Sequence, residues 1–394
     1  MAHNLALLEL LGRSLLNKPL LSIVADENMP MVDEMFEGLA TISKVDGRTL
    51  TAKQVVAADI LLVRSVTKVD EALLAGSRVK FVGSATIGTD HIDLDYLRQQ
   101  NIAFSSAPGC NAQAVVEYDI CCLSLLLNEK SEKLQDKSVA IIGVGNVGQR
   151  LADRLKKIGV KKIYLNDPPR AIKESGFSDL DECLNNADIV AMHTPLVTTG
   201  AHPTHHLIKS KELNKLKENA ILLNAGRGAA IKGDDLLSFL QQRDDVKTVL
   251  DVWEHEPQVD INLAEQINIA TQHIAGHSLE GKVRGTFMLK QALCKWLQSD
   301  LNESLENYLP KPAIENINVN NDVKDLAIMT LMYDPFKDDR RFRASLVLEN
   351  QAKQFDLLRK NYPIRREFNS LKITGELSDQ RRQEIKQLGF NVIS

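Results

Sequence analysis

One glycine-rich segment constrains the fold of this 394-residue chain more than any other feature. Residues Gly143–Gly148 have the spacing G-x-G-x-x-G, and the apolar run Val139–Ile142 directly precedes them. Apolar residues then recur at helical spacing up to Gly159, where a helix-ending glycine is expected. Because a strand, a glycine pattern and a helix follow one another, the segment predicts the dinucleotide-binding turn of a doubly wound α/β domain.

Each residue of this turn has an expected task in binding a dinucleotide. Gly143 permits the tight turn, Gly145 lets the backbone approach a pyrophosphate, and Gly148 allows close packing of helix against strand. Asn146 and Val147 stand at the helix N-terminus, where unpaired N–H groups and the helix dipole favour an anion.

An acidic residue after the next strand favours NAD over NADP. Asp167 lies about twenty positions beyond the third glycine, where a carboxylate accepts hydrogen bonds from the ribose hydroxyls. Its charge would repel a 2′-phosphate. Arg170 is near enough to accommodate such a phosphate, so NADP remains the alternative.

Strand and helix patterns alternate along the chain, which predicts parallel sheets covered by helices. We expect three domains, comprising residues 1–114 with 278–306, residues 115–277, and residues 307–394. The strands predicted in the first two are Leu21–Val24, Ile60–Val63, Lys80–Val82, Ile102–Phe104, Val139–Ile142, Ile163–Asn166, Ile189–Met192, Ala220–Leu223, Thr248–Leu250 and Ile267–Ala270. The third is a small α+β domain, for which we predict helices Asn321–Tyr333, Leu348–Lys360 and Ser378–Leu388 and strands Leu371–Thr374 and Phe390–Ile393.

Composition argues against several classes of partner and location. The formal net charge of −4 and the aromatic content of 5% disfavour a nucleic-acid or anionic-membrane partner. No apolar run has the length of about 18 residues that a membrane span needs. The leucine-rich stretch Leu5–Leu16 lacks the features of a signal peptide and predicts a short helix or frayed extension. The 5 irregularly spaced cysteines indicate free thiols in a reducing cytoplasm.

Two polar clusters receive structural interpretations. His202, His205 and His206 lack a nearby carboxylate or cysteine that would complete a metal shell, so we predict no metal site. The basic run Arg340–Arg343 is expected to form a solvated or interface face.

Three residues at predicted strand ends have the chemistry needed to oxidise a 2-hydroxy acid. Arg227 suits the carboxylate, because its planar guanidinium binds carboxylates through two hydrogen bonds. His273 suits the hydroxyl proton, since imidazole titrates near neutral pH. Glu256 would orient that imidazole and stabilise its protonated form. Open α/β sheets bind their ligands at such strand ends, so we interpret the three as a catalytic group.

The sequence resembles the D-isomer-specific 2-hydroxyacid dehydrogenases. The general signals are the glycine-rich turn and the catalytic group. More specific motifs are Asp26–Pro30, Val63–Lys68, Ala107–Ala112, Phe355–Tyr362 and Arg365–Glu367. The resemblance extends from about Leu20 onward.

The resemblance implies a Rossmann-type NAD-binding domain, a flavodoxin-like α/β substrate domain, and a small carboxyl-terminal α+β domain that pairs two subunits into a homodimer. It implies catalytic roles for Arg227, Glu256 and His273, with His273 the proton donor and acceptor. Further NAD contacts that it implies are Asp167, Thr194, Ala225, Gly226, Arg227, Asp251 and Gly276. Ser65 and Thr86 are the implied substrate contacts, and His277 stands where the relevant members usually have a substrate-binding Tyr.

The more specific motifs resemble the members that oxidise 4-phospho-D-erythronate with NAD in pyridoxal 5′-phosphate biosynthesis. We therefore expect a small phosphorylated hydroxy acid as substrate, with Arg64 and Lys68 as candidate phosphate ligands. Two alternatives remain open: a dehydrogenase for another D-2-hydroxy acid such as 3-phosphoglycerate, and a non-catalytic NAD-sensing regulator of the same fold.

Overall fold

The structure is a computed structural model and describes residues 20–393, so the predicted amino-terminal helix or extension lies outside the described residues. The chain divides into two compact units. The first comprises the residues up to Pro108 together with Val283–Leu309, and the second comprises Gly109–Lys282 with the residues from Pro310 onward. The three-domain division with boundaries after residues 114, 277 and 306 stays a prediction.

A five-stranded parallel sheet forms the first unit, in the order β2-β1-β3-β4-β5. This is the flavodoxin-like order that the resemblance implies. The elements are β1 Leu21–Asp26, α1 Val32–Phe36, β2 Ala40–Val45, α2 Ala52–Val55, β3 Ile60–Val63, α3 Glu71–Leu74, β4 Phe81–Ser84, α4 Leu94–Gln99 and β5 Ala103–Ser106. Strand β2 was not predicted, because it is an edge strand with one buried residue and therefore has no continuous apolar run.

The second unit contains a six-stranded parallel sheet in the order β11-β10-β9-β8-β6-β7. Its strands are β6 Ser138–Ile142, β7 Lys162–Asn166, β8 Ile189–Met192, β9 Ile221–Asn224, β10 Lys247–Leu250 and β11 Ile269–Ala270. The chain order reverses at β6, which pairs with β7 on one side and β8 on the other. Such a reversal opens the crevice in which doubly wound sheets bind their ligands.

Helices connect and cover these strands. They are α5 Ala112–Asn128, α6 Asn146–Ile158, α7 Pro168–Ala171, α8 Leu180–Asn186, α9 Ser210–Leu213, α10 Gly233–Leu240 and α11 Ile261–Gln266. Helix α12, Leu279–Trp296, belongs to the first unit from Val283 onward and packs there on β4. Helix α6 ends as predicted at Gly159, which has a φ of 99° and accepts the left-handed conformation without a Cβ penalty.

The carboxyl-terminal residues form a three-stranded parallel sheet with four helices. Their elements are β12 Asn316–Asn318, α13 Asp325–Met332, α14 Pro335–Leu346, α15 Gln351–Lys360, β13 Lys372–Thr374, α16 Asp379–Leu388 and β14 Asn391–Val392. Helix α14 was not predicted, because its many Asp and Arg residues hide the apolar period. Phe342 is nevertheless fully buried in it, and Arg343 donates to the carbonyls of Ala264 and Ile267. At Arg343, the basic run therefore packs inside the chain, against the backbone around α11.

The carboxyl-terminal residues share both apolar cores of the six-stranded sheet. One core joins β6 and α5 to Ile328, Met329 and Phe368, and the other joins β8 and β9 to Phe342 and Phe355. The apolar stripe of α13 is thus partly covered within the chain. Residues 310–393 consequently belong to the second compact unit.

Candidate active site

The turn between β6 and α6 is built by the glycines that its spacing predicted. Gly143 has a φ of 89°, and a Cβ placed on Gly148 would lie 2.1 Å from the Gly143 carbonyl oxygen. Only glycine, which has no Cβ, fits at this close contact between helix and strand. A Cβ on Gly145 would meet no atom within 4 Å, so the backbone there faces open space.

Asp167 fixes this turn from the end of β7. Its Oδ2 accepts a hydrogen bond of 2.9 Å from Val144 N, and its Oδ1 accepts one from Arg170 N. The Arg170 guanidinium donates to both carboxylate oxygens of Glu174 and to the carbonyl of Val144. Since its donors have these partners, Arg170 is poorly prepared for a 2′-phosphate, which favours NAD.

The residues of this crevice fit a bound dinucleotide. The N-terminus of α6, with its exposed Asn146, offers backbone N–H groups for a pyrophosphate. Thr194 follows β8, and its Oγ1 is buried without a hydrogen-bond partner among the described residues. A buried hydroxyl without a partner is costly, and a ligand at this edge would satisfy it.

Arg227 lies in a loop after β9 that two glycines hold against neighbouring strand ends. A Cβ on Gly228 would lie 2.0 Å from the Trp253 carbonyl oxygen, and one on Gly226 would lie 3.0 Å from Thr194 N. The Arg227 Nη1 donates to the Gly226 carbonyl at 2.9 Å, which orients the guanidinium. Ala225, Gly226 and Arg227 therefore stand beside the dinucleotide crevice, where the sequence predicts them.

His273 and Glu256 form the predicted pair. His273 Nδ1 and Glu256 Oε1 are 2.6 Å apart, and the two side chains are 30% and 28% exposed. Burial tends to raise the pKa of Glu256, but the charge and hydrogen bond of His273 lower it below its ordinary value. The carboxylate is therefore ionised at neutral pH and holds the imidazole through Nδ1, so Nε2 is the other ring nitrogen that can take part in proton transfer.

Asp251 holds the loop that carries His273, a role that the sequence did not reveal. Its carboxylate accepts hydrogen bonds from Ile274 N and Ala275 N, and from the hydroxyl of Thr271. The Asp251 carbonyl accepts from His273 N at 2.6 Å. These bonds hold His273 at a φ of 58°, a left-handed conformation that costs a non-glycine residue about 1–2 kcal/mol.

The loop continues into Gly276 and His277. A Cβ on Gly276 would lie 2.2 Å from the amide nitrogen of Asn111, a residue of the Ala107–Ala112 motif. The ring of His277 contacts the edge of Tyr362, with 5.6 Å between the centroids. Whether Gly276 contacts NAD and His277 contacts substrate stays a prediction.

The predicted substrate contacts of the first unit follow two neighbouring strands. Ser65 follows β3, and Thr86 follows β4 and lies 2.8 Å from the Ser84 hydroxyl. Arg64 Nε donates to Asp26 Oδ1 at 2.9 Å, and Asp26 is buried. Lys68 is 82% exposed and pairs with a nearby aspartate. The Asp26–Pro30 motif is recognisable in the sequence, but only the structure shows that Asp26 orients Arg64.

Other titratable clusters have structural partners. His206 Nε2 lies 2.5 Å from Glu254 Oε1, so a carboxylate does accompany the histidine-rich loop. No group of three potential metal ligands occurs within residues 20–393. Asp119 and His193 form a buried pair, with 3.2 Å between Oδ2 and Nε2. Burial raises the pKa of Asp119, and His193 opposes that shift.

Comparisons with known proteins identify the family. Residues 126–275 match the model of the D-isomer specific 2-hydroxyacid dehydrogenase, NAD binding domain, and residues 308–389 match a domain of unknown function. An erythronate-4-phosphate dehydrogenase of Marinobacter nauticus is 46% identical over 94% of this chain and 99% of its own length. One of Pseudomonas fluorescens is 45% identical over 89% and 94%. The chain belongs to the erythronate-4-phosphate dehydrogenase family.

Membership in this family confirms the predicted resemblance, and the matched model confirms an NAD-binding domain. Among solved structures, a 3-phosphoglycerate dehydrogenase of Entamoeba histolytica with bound NAD+ has a TM-score of 0.60. It is 23% identical and covers 74% of this chain and 99% of its own. That likeness confirms the α/β fold class. No helix between residues 20 and 393 is long and apolar enough to cross a bilayer.

Proposed function

We propose that this protein oxidises 4-phospho-D-erythronate at C2 with NAD, giving (R)-3-hydroxy-2-oxo-4-phosphooxybutanoate for the biosynthesis of pyridoxal 5′-phosphate. The observation that carries the reaction type is the 2.6 Å pair of His273 and Glu256, which follows strand ends of the same sheet as Arg227 and the glycine-rich turn. The substrate follows from the names of relatives 46% and 45% identical over most of both chains.

The proposed chemistry assigns one task to each catalytic residue. Arg227 binds the substrate carboxylate and holds C2 in place. His273 accepts the C2 hydroxyl proton at Nε2, and Glu256 stabilises the imidazolium that results. When bound, NAD supplies the acceptor for the hydride that leaves C2. The two electrons and the proton lost from the alcohol are thereby accounted for.

We assign substrate binding to Ser65, Thr86 and His277. For the phosphate we favour Arg64 over Lys68, because Asp26 orients the Arg64 guanidinium whereas Lys68 is 82% exposed. A fixed cation binds a phosphate at a smaller entropic cost than a mobile one.

We also propose a cytoplasmic homodimer formed through the carboxyl-terminal residues. Of the five cysteines, all are buried free thiols, as a reducing compartment favours. Val347 and Ile364 are both 80% exposed, and Leu331, Leu348 and Leu357 add further exposed apolar surface. Val347 and Leu348 are neighbours in the chain, and Leu348 and Leu357 line one surface pocket, so these residues offer the contiguous apolar surface that an interface uses. Val347→Asp should convert the dimer to a monomer in light scattering, while Ile172→Asp, at an exposed isoleucine of the nucleotide region, should leave it dimeric.

The activity is tested by NADH formation with 4-phosphoerythronate, 3-phosphoglycerate and unphosphorylated 2-hydroxy acids. We expect 4-phosphoerythronate to be preferred by kcat/KM. A preference for 3-phosphoglycerate would replace the substrate assignment. NAD binding without NADH formation from any of them would favour the regulator.

A further inference from the structure

An irregular segment of the carboxyl-terminal region, Tyr362–Glu367, lies along the loop that follows His273. We call this segment the strap. The Glu367 carboxylate accepts from the Ser278 hydroxyl at 2.9 Å, Glu367 N donates to Glu280, and Arg366 Nε donates to the same carboxylate. The carboxyl end of the strap is thus hydrogen-bonded to Ser278 and Glu280.

Arg365 makes the most buried of these contacts. Its Nη1 donates to the Ala275 carbonyl at 3.0 Å, and its Nη2 donates to the Ala114 carbonyl at 2.7 Å. Its guanidinium lies over the ring of Tyr333, 3.7 Å from the centroid. The residue is only 5% exposed. Burying a guanidinium costs free energy that an apolar side chain would not cost. Its hydrogen bonds to two backbone carbonyls therefore indicate that Arg365 positions these backbone segments.

A buried carboxyl group near Arg365, that of Glu117, also contacts the end of the strap. Burial, with Glu367 close by, raises the pKa of Glu117 to about 8, so this carboxyl keeps its proton at neutral pH. Glu117 Oε1 accepts from Phe368 N at 3.0 Å, which fastens the end of the strap to α5. The residue that follows the strap is therefore fixed to α5.

Arg365 restrains both ends of a short stretch of the active-site loop. Its side chain holds the Ala275 carbonyl, and its own carbonyl accepts from Leu279 N at 2.8 Å. Between these points lie Gly276, His277 and Ser278. The Asp251 carboxylate accepts hydrogen bonds from the amides of Ile274 and Ala275, which precede this stretch. The loop is consequently restrained by Asp251 before Gly276 and by the strap after it.

We propose that Arg365 is a positioning residue of the active site, which fixes Gly276 and His277 for NAD and substrate. The substrate half of this inference rests on the proposed function, whereas the NAD half does not. Because Arg365 acts on the loop after His273, its loss should weaken binding and leave proton transfer largely intact.

The test uses Arg365→Lys in the full-length chain, with Arg343→Lys as the matched control. Arg343 also donates to two carbonyls of the nucleotide region, those of Ala264 and Ile267, but does not touch the 275–279 stretch. A lysine keeps the charge and loses the fork. We expect Arg365→Lys to weaken NADH binding, measured by fluorescence, by about tenfold and to raise the substrate KM by about tenfold, with kcat within about threefold of the unmodified protein.

The control should change both quantities by less than about twofold, which would attribute the effect to the loop. Equal losses in both variants, or unchanged NADH binding in a folded Arg365→Lys protein, would overturn the proposal. Should Arg365→Lys not fold, Tyr333→Leu removes the ring beneath the guanidinium and must give the same change in NADH binding. If the unmodified protein does not oxidise 4-phosphoerythronate, the proposed function fails, and the NADH titration still decides the role of Arg365.

Discussion

The two larger parallel sheets carry polar residues at their carboxyl ends, but with different chemistry. In the first unit these are the hydroxyls of Ser65 and Thr86 and a cation, Arg64, oriented by Asp26. In the second they are a hydrogen-bonded pair, His273 and Glu256, with a further cation, Arg227. Only the second set includes a carboxyl–imidazole pair suited to moving a proton at neutral pH.

The restraint on the two sets differs as well. His273 has a left-handed backbone that hydrogen bonds to Asp251 maintain, whereas Thr86 donates to the nearby Gly88 carbonyl in an ordinary turn. Strain supported by buried groups is typical of residues that perform chemistry. This difference supports our proposal that His273 carries out the proton transfer, with Ser65 and Thr86 proposed as substrate contacts.

The strongest test of this division is His273→Asn. Asparagine tolerates the left-handed backbone at this position but has no basic nitrogen, so the loop should persist without its proton acceptor. We expect kcat to fall by about 10²–10⁴-fold with NADH binding unchanged. Steady-state kinetics and fluorescence titration measure the two quantities. Near-normal turnover would exclude His273 as the acceptor.

Arg227→Lys should have the next largest effect. Lysine supplies a point charge in place of two parallel donors, so the carboxylate would be held in a looser geometry. We expect kcat/KM to fall by about 10²-fold, measured with the preferred substrate. Arg243→Lys, a substitution in an ion pair with Asp245, is the control and should leave kcat/KM unchanged. A loss below tenfold would show that the bidentate contact is not used.

Local patterns predicted most of the second unit, because its strands are buried and therefore continuous in apolar residues. The predicted bounds of Ile189–Met192 match β8, and the glycine-rich turn stands where its spacing places it. Strand β2 and helix α14 were missed because an edge strand and a charged helix show no clear period.

The candidate site was predictable in its residue types but not in its supports. Arg227, Glu256 and His273 follow strand ends, which a parallel sheet brings to one edge. Asp251 and Arg365 act through backbone groups of a loop, and a hydrogen bond to a backbone carbonyl leaves no signature in the residue that supplies it. Only the folded chain shows that residues 90 positions apart are partners.

A smaller effect is expected for the recognition residues of the first unit. Arg64→Lys keeps a cation near Asp26 but loses the planar fork, so we expect the substrate KM to rise by about tenfold and kcat to change by less than about threefold. Lys68→Ala is the matched comparison, and it should change KM by less than about twofold because the side chain is 82% exposed. A larger effect at Lys68 than at Arg64 would reverse the phosphate assignment.

The smallest effect concerns the pH dependence of stability at the His273–Glu256 pair. The pKa of Glu256 is lowered in the folded protein, since His273 outweighs the effect of burial. Its carboxylate therefore contributes stability above its unfolded pKa, and this contribution disappears as the pH falls through the lower folded value. Glu256→Gln should cost about 1 kcal/mol in free energy of unfolding near pH 6, and less toward pH 3.

Urea unfolding at several pH values measures this difference, with Ser65→Ala as the control. Serine carries no group that titrates in this range, so any cost of Ser65→Ala should be independent of pH. The expected pattern is a pH-dependent difference at Glu256 and a constant one at Ser65. If the cost of Glu256→Gln instead stayed constant down to pH 3, the His273–Glu256 pair would not be stabilised by charge, and the contrast between the two sheets would reduce to hydrogen bonding alone.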